Sequence, residues 1–188
     1  MANTEILSTN KTLSGFVKVW KTHPTTGDTE LLVDKQNMIL KGGAKIIAHT
    51  LGGLATDKIW GMYIGYNNTA SFNVTPPDPD YGNPFADFTN PFGYLREPLT
   101  FSPVFLSSTG YDENTVLFST MITSASKASQ QSADFGTNSR IYEVALIAAP
   151  QPSNPDNDIV FSRTTFNKIQ YDSNFNFTIT WGVRILLL

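Results

Sequence analysis

The chain has 188 residues, a size that suits one domain burying roughly 70% of its unfolded surface. Its 13 basic and 16 acidic residues leave a net charge of -3, which offers no long-range attraction to phosphate and speaks against nucleic acid as a partner. Cysteine is absent, which excludes disulfide scaffolds, thiolate metal sites and thiol nucleophiles.

In chain order, Met1 to Thr12 ("MANTEILSTNKT") is a polar N-terminal arm with no basic region ahead of an apolar stretch, so no signal peptide is expected. No later segment approaches the roughly 18 apolar residues of a membrane helix. One domain is expected over 13–188. It opens with "LSGFVKVWKTHPTTGDTELLVDK", which predicts a hairpin: Phe16 to Trp20 is rich in aromatic and β-branched residues, the turn-formers Pro24, Gly27 and Asp28 follow, and Leu31 to Val33 returns. Then the period changes. Leu40, Ala44, Ile47, Ala48 and Leu51 fall at helical spacing, with Gly52 and Gly53 as the stop, so one short helix is expected with those residues on its apolar face.

A strand is predicted from Ile59 to Gly65, followed by a long loop over 66–103. The stretch from Thr75 to Pro103 holds seven prolines, which excludes a helix and any central strand across most of it. Its aromatic residues, Tyr81, Phe85, Phe88, Phe92 and Tyr94, give it more apolar surface than a disordered linker carries, so it reads as an ordered arm. Strand-like runs follow in "TVLFSTMITS", "SRIYEVALIAA" and "DIVFSRTTFNKI", separated by polar, turn-rich joints. The chain closes on "FNFTITWGVRILLL". There Phe175, Phe177, Ile179, Trp181, Val183, Ile185 and Leu187 share one face, and Leu186 and Leu188 make the tip apolar on both. Short strands with a single helix predict a mainly β fold, an antiparallel β-sandwich, jelly-roll-like, with one short α-helix and a long Pro/aromatic-rich arm.

The residues that could carry chemistry are scattered. His23 lies in a turn and His49 on the helix, neither with a second ligand at metal-binding spacing, and no nucleophile elbow or phosphate loop is present. Two carboxylates, Glu97 and Glu143, would be the only pair to imagine as acid and base. The simpler reading makes Glu97 a solvated loop residue and puts Glu143 on the outer face of a strand. "DPDYGN" (78–83) has an acidic spacing found in some calcium loops but lacks the later bidentate Glu, so a turn held by Asx hydrogen bonds is expected instead. The N-x-[ST] triplets at Asn10, Asn67, Asn73 and Asn176 read as incidental in a chain without a signal peptide. Neither metal nor cofactor is expected, and no enzymatic activity.

Several stretches taken together, "KQNMILKGGAKIIAHTLGG", "IWGMYIGYN", "IYEVALIAA", "IVFSRTTFNKI" and "FTITWGVRIL", resemble structural proteins of tailed-bacteriophage virions. The resemblance rests on Asn37, Gly43, Ile47, Leu51, Ile64, Gly65, Glu143, Leu146, Arg163, Phe166, Ile179 and Trp181, covers about residues 14–65 and 140–187, and leaves out the proline arm. It implies a non-enzymatic protein, assembled into the virion in the host cytoplasm, whose partners are copies of itself and other virion proteins such as the major capsid protein. Capsid decoration is the station expected first; neck or collar, tail-fibre or baseplate accessory, and carbohydrate-binding receptor recognition are the alternatives. The residues expected at the interface are Tyr81, Phe85, Phe88, Phe92, Tyr94, Leu186, Leu187 and Leu188, since aromatics on a stiffened loop lose little entropy on docking. The three terminal leucines are expected to be buried, either under the helix near Ile47 and Leu51 or against a neighbouring subunit.

Overall fold

The computed structural model describes residues 13–54, 57–68, 94–106, 115–123, 135–149 and 157–185. The elements are β1 (Leu13–Thr22), β2 (Thr29–Ile39), α1 (Lys41–Leu51), β3 (Lys58–Asn67), β4 (Tyr94–Pro98), β5 (Phe101–Phe105), β6 (Thr115–Ile122), β7 (Arg140–Ala149), β8 (Ile159–Gln170) and β9 (Asn176–Ile185). All pairings are antiparallel, and the ladder runs β4-β3-β7-β8-β2-β1-β9-β6-β5. It folds into two sheets. β5, β6, β9, β1 and β2 make one, and β4, β3, β7 and β8 make the other. β2 joins them, because it pairs with β1 over most of its length but with β8 only at Met38↔Arg163 and Ile39↔Ser162.

The sheets also meet on their far side. β4 ends the ladder at one margin and β5 at the other, yet only Leu99 and Thr100 separate them in the chain. This corner is hydrogen-bonded to both sheets. The Leu99 N–H donates to the Trp60 carbonyl of β3 (2.9 Å), and the Thr100 N–H donates to the Ser119 carbonyl of β6 (3.0 Å). The Thr120 hydroxyl donates to the Pro98 carbonyl (2.7 Å), and the Thr100 hydroxyl accepts the Met121 N–H (2.9 Å). Polar backbone at a sharp turn between buried sheets is thereby satisfied.

The alternation read in the terminal strand is the alternation of the core. Phe177, Ile179 and Trp181 are fully buried, Val183 nearly so, and they pack with Val17 and Val19 of β1, Met62 and Ile64 of β3, and Val144 and Leu146 of β7. Phe16 stands opposite Gly182, where a Cβ would fall on the Phe16 ring; the glycine makes room for the aromatic. The β1–β2 turn is held by His23, whose Nδ1 accepts the N–H groups of Thr25 (3.3 Å) and Thr26 (3.2 Å), and by Gly27 at φ +76°.

Two expectations change. The helix exists over the expected residues, and Gly53 at φ +70° follows it, but its buried residues are Gly43 and Ile46. Ala44 and Ala48 are exposed, and Leu51 is 84% exposed. The reason is the mode of docking. α1 lies so close to β8 that a Cβ on Gly43 would fall on the Phe161 carbonyl oxygen, and one on Gly42 on the Val160 carbonyl oxygen, so these glycines set the docked side, with Ile46 buried in the core and Ile47 packed against it. The second change concerns the loop over 66–103, which contains all of β4 and most of β5. Both strands stand at margins of the ladder, the positions that tolerate Pro98 and Pro103.

Candidate functional site

Two surfaces stand out from the rest of the sandwich. The first is the outer face of the β4-β3-β7-β8 sheet, which is buried although it lies outside the sandwich core. Tyr63, Ala145, Ile147, Val160 and Leu40 form a small apolar cluster there, with Trp60 and Tyr94 packed against it. Among them sits Asp158, just ahead of β8, its side chain fully buried. Its Oδ2 accepts Arg96 Nε (2.8 Å) and the Tyr63 hydroxyl, and its Oδ1 accepts an Arg96 terminal nitrogen (3.0 Å) and Trp60 Nε1 (3.2 Å). The Arg96 guanidinium also lies 3.9 Å from the centre of the Trp60 ring. Burial, then the hydrogen bond to Asp158, raises the Tyr63 hydroxyl far above its ordinary pKa, so this phenol stays protonated and acts as a donor.

Further along the same face Glu143 of β7 pairs with Arg163 of β8, both buried. Gly65 stands opposite Glu143 on β3, and a Cβ there would crowd the Glu143 side chain (3.2 Å). The two carboxylates described on this face, Asp158 and Glu143, therefore each meet an arginine. Such an arrangement ties strands together, since a buried carboxylate is held by the charge and hydrogen bonds around it.

Glu97 is different. It stands opposite Met62 on β3, so it shares the inner face with Met62, Ile64 and Leu95, and it is only 5% exposed. Burial pushes its carboxyl up to about 7. It is thus a strand residue inside the sandwich and not a solvated loop residue. Glu143 is on the outer face, as expected, but buried. The two carboxylates lie on opposite faces of one sheet, which rules out their acting as an acid–base pair on one substrate.

The second surface is β5. All five of its residues are exposed, including Phe101 (48%), Val104 (53%) and Phe105 (70%). β5 pairs only with β6, in a register interrupted between Phe101 and Val104. Its apolar side chains therefore stand in solvent on a strand at the margin of the ladder. Leu51 and Leu54, beyond α1, are likewise exposed.

Of the expected interface residues, Tyr94 is described. It is half-buried on β4, with its ring 4.7 Å from that of Tyr63, and burial raises its hydroxyl pKa. Tyr81, Phe85, Phe88, Phe92, Leu186, Leu187 and Leu188 lie outside the described residues, as does "DPDYGN". His23 is engaged in its turn and against the Phe175 ring at 5.3 Å, and His49 is half-buried in the last turn of α1. Among the described residues no group of three His, Asp or Glu side chains is placed to hold a metal ion, and no helix is long and apolar enough to cross a membrane.

Sequence reasoning missed both surfaces. Asp158 opens the run "DIVFSRTTFNKI", just ahead of β8, and nothing in the spacing of Trp60, Tyr63 and Arg96 links them to it. β5 was concealed by Pro103 at its centre. The pattern "FSPVF" between Thr100 and Leu106 carries a strand-like density of aromatic and β-branched residues, and that was the available signal. Comparison with protein-family models, with curated proteins and with solved structures found no match.

Proposed function

We propose that this chain is a non-enzymatic structural protein of a tailed-phage virion, and that it works as a capsid decoration, or cement, protein. It binds copies of itself and the major capsid protein, and it adds interface area that resists internal pressure. The observation that carries this reading is β5, whose three large apolar side chains are exposed on a marginal strand. Apolar surface of that kind, concentrated on one element, marks a contact with another protein. The ion pairs on the outer face favour the same reading, because both described carboxylates there are committed to arginines.

The sugar-platform alternative draws less support. Tyr94 packs against Tyr63 and is half-buried, so it does not offer an open ring to a glycan. The deciding experiment adds purified protein to matching capsids depleted of it and locates it in the particle by electron microscopy. Saturable binding over the shell, with resistance to heat or internal pressure restored, is expected. A strictly monomeric protein that leaves such capsids bare would overturn the decoration reading, and density at the neck or tail would replace it with one of those stations.

A further inference from the structure

β2 and β8 part company after two residue pairs. From Thr29 to Asn37, β2 pairs only with β1, and from Thr164 to Gln170, β8 pairs only with β7 on its other side. Alternate backbone N–H and C=O groups of both strands therefore point into the opening between them. That opening is a cleft of about 400 Å³, with the core residues Val33 and Phe166 among its lining and Asp34 and Asn167 at its exposed rim. Lys35 stands opposite Val17 and so leans from the inner side of β2, and its ammonium donates to the Thr165 carbonyl across the gap (2.6 Å). A lysine thus occupies a carbonyl that a neighbouring strand would otherwise engage. Among the described residues no carboxylate comes within ion-pair reach of that ammonium.

We infer that the cleft receives an extended segment of a second copy of this chain, namely the stretch around Glu5 to Ser8 of the N-terminal leader. Three observations select it. The cleft offers two facing strand edges, which an extended backbone can pair with. Its Lys35 has no ion-pair partner among the described residues, since the rim carboxylate of Asp34 pairs with Lys18 (3.3 Å), and Glu5 is the single acidic residue among Met1 to Thr12. The leader contains neither proline nor glycine, and Ile6 and Leu7 follow Glu5, so one of them meets Val33 and Phe166 when the carboxylate meets Lys35.

The direction of the chain favours another copy over the chain's own leader. Gly15 stands opposite Asn37, so β1 begins at the end where β2 and β8 are joined, beside the Met38↔Arg163 and Ile39↔Ser162 pairs and the Leu40 N–H to Phe161 carbonyl hydrogen bond (3.1 Å). The cleft opens at the other end. From Ser8 to Leu13 an extended chain spans about 17 Å at roughly 3.3 Å per residue, too short to double back along its own β2 and enough for a neighbour whose β1 starts beside the cleft. The inference concerns any assembly of this chain and does not depend on the particle proposed above.

The absence of native cysteine makes the test direct, because every cross-link is an introduced one. Full-length chains carrying Thr4→Cys and Asn167→Cys are mixed, oxidised and separated on a non-reducing gel. A disulfide-linked dimer of the two chains is expected. It should fall about fivefold when Glu5→Lys is added to the first chain or Lys35→Glu to the second, and recover when both reversals are present, as a charge pair of about 1 kcal/mol requires. Absence of the cross-link, or a cross-link indifferent to both charges, overturns the inference. So does a chain carrying both cysteines that closes only on itself, since that would place each leader in its own cleft. The variant sites are exposed or lie in the leader, and thermal melting of each confirms that the fold is kept.

Discussion

Asp158 is the residue on which most of the outer face depends. It accepts from Arg96, Tyr63 and Trp60 at once, so its loss leaves a guanidinium, a phenol and an indole N–H without their shared acceptor. Removing one partner of a buried ion pair costs about 3–5 kcal/mol. Asp158→Ala is therefore expected to lower unfolding stability by about that amount in urea titration, and Asp158→Asn by less. Glu97 predicts a pH dependence of stability. Its carboxyl is raised to about 7 in the folded chain from 4.5, so between those values the folded state holds more protons than the unfolded one. Stability should consequently increase as pH falls from 8 towards 5, and it should be lost as pH rises through 7. Glu97→Gln should flatten that slope and raise the melting temperature at pH 8, as thermal melts across this range will read. Neither role was legible beforehand, because both depend on which face a neighbouring strand presents, a fact of register and not of spacing.

Among the elements, α1 shows how a correct helix can carry a face that is only partly right, with Leu40 and Ile47 turned inward and Ala44, Ala48 and Leu51 outward. The apolar spacing of Leu40, Ala44, Ile47, Ala48 and Leu51 reports helicity, but the side that docks is chosen by closeness of approach to β8. Gly43→Ala is expected to destabilise the protein by about 1–3 kcal/mol, since backbone and not a movable side chain stands in the way of the new methyl group. Chemical denaturation against Ala44→Gly, an exposed position on the same helix, separates this clash from helix propensity, worth about 1 kcal/mol. β9 is the contrasting case. Its period-two pattern is set by burial of one face, which is what a sequence records most plainly, and the core residues Phe177, Ile179 and Trp181 could be read from it directly. The hairpin of β1 and β2 was equally legible, from its turn residues. β4 and β5 were not, because prolines that forbid a central strand are silent about a marginal one.

At the scale of the whole molecule, the sandwich class was legible from many short strands with one helix, whereas the order in which they pair was not. Sequence neighbours such as β2 and β3 lie apart in the ladder, and β4 and β5 lie at its two margins. The exposed strip on β5 is where the molecule is expected to meet others. Phe101→Ser and Phe105→Ser together should weaken self-association or capsid binding at least about tenfold, on the basis of about 1–2 kcal/mol for each buried aromatic contact, while leaving the melting temperature within a few degrees. Analytical ultracentrifugation and capsid pull-down read the two associations separately. Unchanged association in both would move the interface away from β5.

The corner at Leu99 and Thr100 has a consequence for how the fold comes apart. In an open sheet the two outermost strands exchange their amide hydrogens independently, each fraying from its own side. Here the two outermost strands share one covalent corner whose backbone is bonded to β3 and to β6. Local opening on either side must release that corner, so the margins become one cooperative unit. Amides of β4 and β5 should then exchange with a common opening free energy, and the Leu99 and Thr100 amides should set its value.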